Sequence, residues 1–315
     1  MFNHILNYAN ATIVVSLISF LTLPFFTRYL SPEDFGILAI YTMFGSLLAN
    51  FLSIGLQAAT VRYYYKEKNN IENFQSLNFT NFIFIILSLS IGGLFVYKAA
   101  PFISMKIFKN KVSDSLLILS FFGGSITFLF TYLKQLLVAQ ARSKEYAILA
   151  IFSSLLAPLI SICLILFSSM TYDARIFGYI ATHLIFLFIL ILMQKDFFAL
   201  KWSTKLLKKS IGYSYPNIPQ QAIGVIQESF DKTLLTNMKS LDMVGHYQIG
   251  QRIGNIAKTF ISVFGAAWMP FFMERAEKGD KNHKSEIVSR YHEISLFKKS
   301  LPLKSIDIGK ESVKN

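Results

Sequence analysis

FGILAIYTMFGSLLANFLSIGLQAAT, residues 35–60, carries no charged side chain from end to end. An α-helix rises about 1.5 Å per residue, so about 20 apolar residues cross the roughly 30 Å hydrocarbon layer of a bilayer, and this stretch is long enough. It is not uniformly apolar. Ser46, Asn50, Ser53 and Gln57 follow one another at i, i+4, i+7 and i+11, a spacing that places all four on one helical face. Lipid satisfies no polar side chain, so such a stripe faces protein or water. The stretch reads as a membrane helix with one wet side.

Comparable apolar stretches lie on both sides of it, and the spacing predicts spans over 5–27, 35–60, 77–97, 115–141, 146–169, 176–194, 212–236 and 244–273. With 53% hydrophobic residues, 31 Phe and a mean hydropathy of +0.45, the chain is expected to be an all-α, polytopic membrane protein of about eight transmembrane helices. Its formal net charge of +13 raises the question of a nucleic-acid partner. The Lys and Arg residues sit between the apolar stretches and form no single basic face, so no nucleic acid is expected. Cys163 is the single cysteine, which excludes a disulfide framework and a multi-cysteine metal site. Met1 to Tyr8 has neither a basic n-region nor a small-residue cleavage site, so the first stretch reads as a retained span.

Basic residues near span ends favour the cytoplasm. With the N-terminus inside, the cytoplasmic segments carry Arg62, Lys66, Lys68, Arg142, Lys144, Lys195, Lys201, Lys205, Lys208, Lys209, Arg275, Lys278, Lys281, Lys284 and Arg290, against Arg28, Lys98, Lys106, Lys109, Lys111, Arg175 and Lys239 outside. Fifteen against seven favours that orientation, with the 98–111 segment dissenting.

A shift of 209 residues superposes the first two spans on the last two. Thr27 falls on Thr236, Ser31 on Ser240, Gly36 on Gly245, Ile40 on Ile249, Gly45 on Gly254, Phe51 on Phe260, Ser53 on Ser262 and Ala58 on Ala267. That agreement is well above chance for this composition. An even number of spans separates the copies, so the repeat is parallel, as in transporters built from two six-helix halves. The expected organisation is an N-terminal six-helix lobe with its linker at 1–209, a partial second lobe at 210–297 and a polar tail at 298–315. After Arg275 the sequence turns charged, and the apolar pattern begun at Ile294 to Phe297 gives way to Lys298 and Lys299. We expect a lost reading frame or premature stop within a ninth helix.

The eighth span mirrors the second: Gln248, Gln251, Arg252, Asn255, Thr259 and Ser262 share one stripe, and the last three are the repeat partners of Ser46, Asn50 and Ser53. The first span contributes Asn3, Asn7 and Asn10; the seventh contributes Asn217, Gln220, Gln221, Glu228, Asp231 and Lys232. Polar side chains can simply glue helices together at about 0.6 kcal/mol each. Recurrence on two symmetry-related helix pairs points instead to a central cavity. A mid-helix cation costs about 2.5–3.5 kcal/mol on insertion scales, so Arg252, Lys134 and Lys258 are candidates to bind an anionic cargo, with Asn50, Gln57, Gln248, Gln251 and Asn255 as amide partners. Glu228 and Lys232 stand at i, i+4 and can neutralise each other, which leaves Asp231, with Glu228, as the candidate for coupling to an ion. Pro216 and Pro219 remove two backbone donors and are expected to kink the seventh span for gating.

No Walker loop, dinucleotide fingerprint, HExxH or GxSxG is present, so neither catalysis nor a cofactor is expected. His4, His183, His246, His283 and His292 are scattered, and no metal site is expected.

Thr27-Arg28-Tyr29-Leu30-Ser31-Pro32-Glu33-Asp34-Phe35-Gly36-Ile37-Leu38 resembles the first-loop motif of the Wzx-type O-antigen flippases of the multidrug/oligosaccharidyl-lipid/polysaccharide (MOP) exporter superfamily. Asp231-Lys232-Thr233-Leu234-Leu235, Val244-Gly245-His246-Tyr247 and Trp268-Met269-Pro270 resemble its seventh- and eighth-helix signatures, and the similarity extends over roughly residues 1 to 295. The resemblance implies a MATE-like flippase of O-antigen, lipopolysaccharide or capsule biosynthesis. Such a protein moves undecaprenyl-pyrophosphate-linked oligosaccharide across the bacterial inner membrane by alternating access, beside a polysaccharide polymerase and a chain-length regulator. Family members usually have twelve or more helices, and this chain departs from them by lacking most of the second lobe. The alternatives are a MATE-like drug or cation exporter, which would need cavity carboxylates that the first six spans lack, and an inactive truncated remnant. The parallel repeat argues against a membrane-embedded polymerase.

Overall fold

The computed structural model describes residues 2–67, 70–168, 170–217, 223, 230–236 and 240–255. The chain groups into two compact units, 1–260 and 261–315, and everything described belongs to the first. The ninth-helix expectation, the polar tail, Lys258, Glu228 and Pro219 therefore lie outside the described residues, as does much of the seventh and eighth spans.

Among the described residues the secondary structure is helical. α1 is Phe2–Tyr29, α2 Pro32–Leu52, α3 Leu56–Lys66, α4 Ile71–Lys106, α5 Asp114–Ala139, α6 Ser143–Ser168, α7 Tyr172–Met193 and α8 Thr204–Ser214, with 3-10 turns at Lys195–Phe197 and Tyr215–Asn217. Residues 230–236 and 241–255 are also helical. Among the described residues six helices are long and apolar enough to cross a membrane: α1 (over Asn7–Tyr29), α2, α4, α5, α6 and α7. They correspond to the first six expected spans, and the chain is an all-α polytopic membrane protein.

Local chemistry sets the helix ends. At the start of α2, the Ser31 hydroxyl accepts from the Asp34 backbone N–H at 3.1 Å while the Asp34 carboxylate accepts from the Ser31 backbone N–H at 2.8 Å, and Pro32 occupies the first turn. This reciprocal cap satisfies two donors that a helix otherwise leaves open. Ser113 and Ser203 cap α5 and α8 one way only, their hydroxyls accepting from the Leu116 and Leu206 backbone N–H groups.

Two expected spans need correction. The stretch 35–60 is not one helix. α2 stops at Leu52, and Ile54 and Gly55 both adopt left-handed backbone, with φ of 52° and 68°, before α3 begins. Glycine takes that conformation freely, whereas a β-branched residue is strained there by roughly 1–3 kcal/mol. Apolarity alone carries no signal for such a break. The seventh span does not begin at 212 either, because α8 occupies Thr204–Ser214 and runs into the 3-10 turn that contains Pro216. Pro216 thus stands exposed in a turn after α8 rather than inside a kinked span. In addition α4, expected over 77–97, has 36 residues. At about 1.5 Å per residue it is roughly 54 Å long, well beyond the hydrocarbon layer.

α5 is the central helix. α2, α4 and α7 pack against it, and α1, α6 and α7 form a second group joined through α7. Leu117, Leu133 and Leu137 of α5 are fully buried in the core that also holds Phe26, Ile40, Ile85 and Ile176. Large apolar side chains such as Leu21, Leu94, Phe95 and Phe167 project outward, as expected where the solvent is lipid.

The two copies of the repeat meet directly. A Cβ placed on Gly36 would overlap the Leu241 carbonyl oxygen, and one placed on Gly245 would overlap the Pro32 carbonyl oxygen. Since 245 minus 209 is 36 and 241 minus 209 is 32, each contact maps onto the other under the repeat shift. The start of α2 and the start of helical residues 241–255 therefore cross in a self-reciprocal, backbone-to-backbone contact that only glycine permits. The Lys111 ammonium donates to the Thr236 carbonyl at 2.7 Å. That bond gives one charge of the dissenting 98–111 segment a structural partner.

Candidate functional site

Three of the cavities between the described helices have Tyr179 of α7 on their walls. The first, of about 280 Å³, is bounded by α1, α6, α7 and helical residues 241–255, and its cations are Arg175 and Arg252. The second, of about 470 Å³, lies between α2, α5 and α7 and is lined by Ser46, Asn50, Gln57, Thr127, His183 and Lys232 among others. The third, of about 320 Å³, sits between α1, α5, α6 and α7 and presents Lys134, Phe130, Tyr146 and His183. Among the described residues no carboxylate lines any of the three.

Arg175 is the most constrained of the cations. It lies in the first turn of α7 and is only 5% exposed. Its guanidinium carbon stands 3.8 Å from the centre of the Phe26 ring and 5.4 Å from that of Tyr179, and Nη2 donates to the Tyr179 hydroxyl at 3.2 Å. The i, i+4 spacing on α7 makes that bond, and the aromatic faces attract the charge. Buried Nη1 has no hydrogen-bond partner among the described residues. An unanswered charged donor is costly to bury. Arg252, half-buried, stands 5.5 Å from the Phe35 ring centre and faces the same cavity. Two guanidinium groups that share one cavity without a carboxylate repel each other, and a polyanion between them would offset both the repulsion and the open donor.

Lys134 is half-buried in α5, with its ammonium 5.0 Å from the Phe130 ring centre and 5.5 Å from that of Tyr146. His183 stacks on Phe130 at 5.0 Å and shares a 2.9 Å hydrogen bond with the Thr127 hydroxyl. Tyr179 and His183 thus connect a cationic cavity, a mixed aromatic–cationic one and a larger one rich in hydroxyl and amide groups. Pro158 in α6 lines two of them beside Ser154. A proline there leaves the Ser154 carbonyl without its helical donor and adds an acceptor at the cavity wall.

The sequence-derived candidates divide. Asn50, Gln57, Arg252, Asn255 and Lys134 line cavities. The left-handed turn sends Gln57 off the face of α2, yet it returns to the same cavity as Ser46 and Asn50. Ser53 does not join them: it is buried at the break and its hydroxyl donates to the Asn50 carbonyl at 2.7 Å. Asn50 Nδ2 likewise donates to the Ser46 carbonyl within its own helix at 2.7 Å, which commits one of its two N–H donors. Gln248 is half-buried, with a buried Oε1 that has no partner among the described residues, and Gln251 is half-buried; neither lines any of these three cavities. Asp231 is exposed and accepts from the Tyr247 hydroxyl at 3.0 Å, away from the three cavity walls. Asn7 donates to the Ser143 hydroxyl at 3.0 Å and acts as helix glue.

Arg175, Tyr179 and His183 were missed. The expected sixth span began at 176, which assigned Arg175 to a loop, whereas α7 starts one turn earlier at Tyr172. The available signal was the i, i+4 pair Arg175 and Tyr179 at the edge of an apolar run.

A family model described as "Polysaccharide biosynthesis protein" matches residues 3–275. No curated protein and no solved structure matches the chain.

Proposed function

The chain belongs to the polysaccharide biosynthesis protein family, and from that premise we propose that it is a flippase. Its cargo is undecaprenyl-pyrophosphate-linked oligosaccharide, an O-antigen or capsule repeat unit, which it carries across the bacterial inner membrane by alternating access, without catalysis and with its N-terminus in the cytoplasm. The observation that carries this reading is the pair Arg175 and Arg252 in one cavity with no carboxylate on its wall among the described residues. Guanidinium forks suit the paired oxygens of a pyrophosphate better than a point charge does. The adjoining cavities, lined by Ser46, Asn50, Gln57, Thr127, Tyr179 and His183, suit sugar hydroxyls, and Lys134 suits an acidic sugar. The lipid tail stays in the bilayer.

Carbohydrate of this size needs a wide opening, so the lobes must part at one end and meet at the other. The reciprocal crossing at Gly36 and Gly245 is the seam at which they meet, with the repeat relating its two sides. Asp231 and Glu228 are the candidates for ion coupling, and a polymerase and a chain-length regulator are the partners that receive the product.

Complementation tests the reading. The gene expressed in a strain lacking its own flippase should restore surface glycan, and Arg252→Ala should lower that export while leaving protein abundance unchanged. Restored drug efflux without glycan would replace the flippase by a cation exporter.

A further inference from the structure

Between the end of α7 and the start of α8 the chain makes a short excursion that the protein holds firmly. Gln75 Nε2 donates to the Asp196 carbonyl at 2.6 Å, Asn78 Nδ2 to the Phe197 carbonyl at 2.9 Å, and the Ser203 backbone N–H to the Thr80 hydroxyl at 3.1 Å. Gln194, fully buried, ties the exit of α7 to the Leu133 carbonyl at 2.8 Å. Phe197 and Phe198 turn inward, onto Phe74 and Phe82 respectively. The backbone is thus anchored to the first turns of α4 by side chains of α4 itself.

What this held segment presents outward is unusual for a surface in water. Leu200 is 90% exposed and Trp202 45% exposed, and Lys195, Lys201, Lys205 and Lys208 are all exposed around them. α8 continues the pattern: Leu207, Ser210 and Ser214 are buried on one face, while Lys205 and Lys208 occupy the other. The segment adjoins the end of α7 and the beginning of α4, two membrane-spanning helices, so it sits where hydrocarbon gives way to headgroups. Tryptophan is favoured at that depth, and lysine reaches from it toward phosphate. A cluster of lysines beside membrane spans attracts anionic lipid.

We infer that residues 195–208 form a docking surface for anionic phospholipid headgroups, with Leu200 and Trp202 inserted among the chains and the four lysines around the phosphates. The surface is separate from the three cavities and independent of what the protein transports. It ties α7 and α8, through α4, to the leaflet at this end of the bundle.

The chain holds two tryptophans, so Trp268→Phe leaves Trp202 as the reporter. That protein would be reconstituted in phosphatidylcholine bilayers carrying an equal fraction of brominated phosphatidylglycerol or brominated phosphatidylcholine. Brominated phosphatidylglycerol should quench Trp202 roughly twofold more strongly, because four ammonium groups enrich the anionic lipid around it. High salt should erase the difference, and so should joint replacement Lys195→Gln, Lys201→Gln, Lys205→Gln and Lys208→Gln, whereas arginine at the same four positions should keep it. Equal quenching by the two lipids would overturn the inference. A preference that survived high salt or the four glutamines would overturn it as well. The salt experiment uses unaltered lysines, so it decides the matter even where the glutamine variant folds poorly.

Discussion

Asn78 and Arg175 are both almost wholly buried, at 0% and 5% exposure, yet the protein treats them in opposite ways. Asn78 is answered on both sides by a network: its amide oxygen accepts from the Tyr132 hydroxyl at 2.9 Å, and its amide nitrogen donates to the Phe197 carbonyl. Thr60 shares a 2.9 Å bond with Tyr132 and accepts from Asn81 at 3.0 Å, while Asn81 Oδ1 has no partner among the described residues. The network ties α3, α4 and α5 and borders none of the three cavities. Arg175 instead leaves a charged donor open at a cavity wall. The difference teaches that an open donor points to function where it carries charge and its residue lines a cavity; lack of a partner alone is not enough, since Asn81 Oδ1, Thr182 Oγ1 and Ser210 Oγ have none among the described residues and border none of the three cavities. A side chain closed by distant partners ties helices together, whereas an open charge beside a cavity suits a ligand.

The largest expected effect breaks the open side. A charge-assisted bond to an anion contributes about 1.5–3 kcal/mol, so Arg175→Ala should lower glycan export roughly 10- to 100-fold at about 1.4 kcal/mol per factor of ten. Arg252→Ala should do less, since Arg252 is only half-buried. Export measured against immunoblotted protein separates this from misfolding, and unchanged export with Arg175→Ala would move Arg175 to the structural side.

Breaking the closed side should give the reverse pattern. Asn78→Ala takes this donor from the Phe197 carbonyl, leaves Tyr132 with Thr60 alone and should destabilise the bundle by about 1–3 kcal/mol, read as a lower melting temperature in detergent. Export per folded molecule should stay near wild type. A selective loss of transport at normal stability would contradict the division.

Asn50 sharpens the boundary because it lies on a cavity wall but bonds its own helix. Asn50→Ala should cost about 0.6 kcal/mol or less, a change of no more than roughly threefold in export. A loss as deep as that of Arg175→Ala would show that its amide holds cargo.

The smallest effect lies outside the membrane. Lys209 Nζ donates to the Glu67 carboxylate at 2.8 Å, and that bond, with a second from Asn73, holds the Glu67 carboxyl below the ordinary glutamate range. The contribution is present above the usual glutamate value of about 4.3 and disappears as pH falls through the lower folded value. For a pair at the surface it amounts to a few tenths of a kcal/mol. Thermal scans of wild type and Glu67→Gln should therefore differ slightly near neutral pH and converge in acid; divergence in acid would reverse the sign.

Much of the fold was legible in residues 35–60 and their counterparts, because a run of about 20 apolar residues identifies its own environment. The six spans among the described residues correspond to expected ones, and Gly36 and Gly245, which the 209-residue shift pairs, lie at a helix crossing. The break after Leu52 was not legible, since Ile54 is as apolar as its neighbours and its left-handed backbone is imposed by packing. α3 and α8 escaped for a related reason: neither is apolar enough to be read as a span. Of the site, Arg252 and Lys134 could be found because charge inside an apolar run is conspicuous, while Arg175 sat one turn beyond the boundary.

The linear order of apolar and basic residues was enough to establish an all-helical membrane protein and to suggest its orientation, because transfer into lipid depends on composition counted over a single helix. Which polar groups are answered, and which remain open, was settled only by tertiary structure. Thr60 meets Tyr132, Asn78 meets Phe197 and Arg175 meets Phe26 across long stretches of chain, and hydrogen-bond satisfaction is a property of those distant partners rather than of any local pattern.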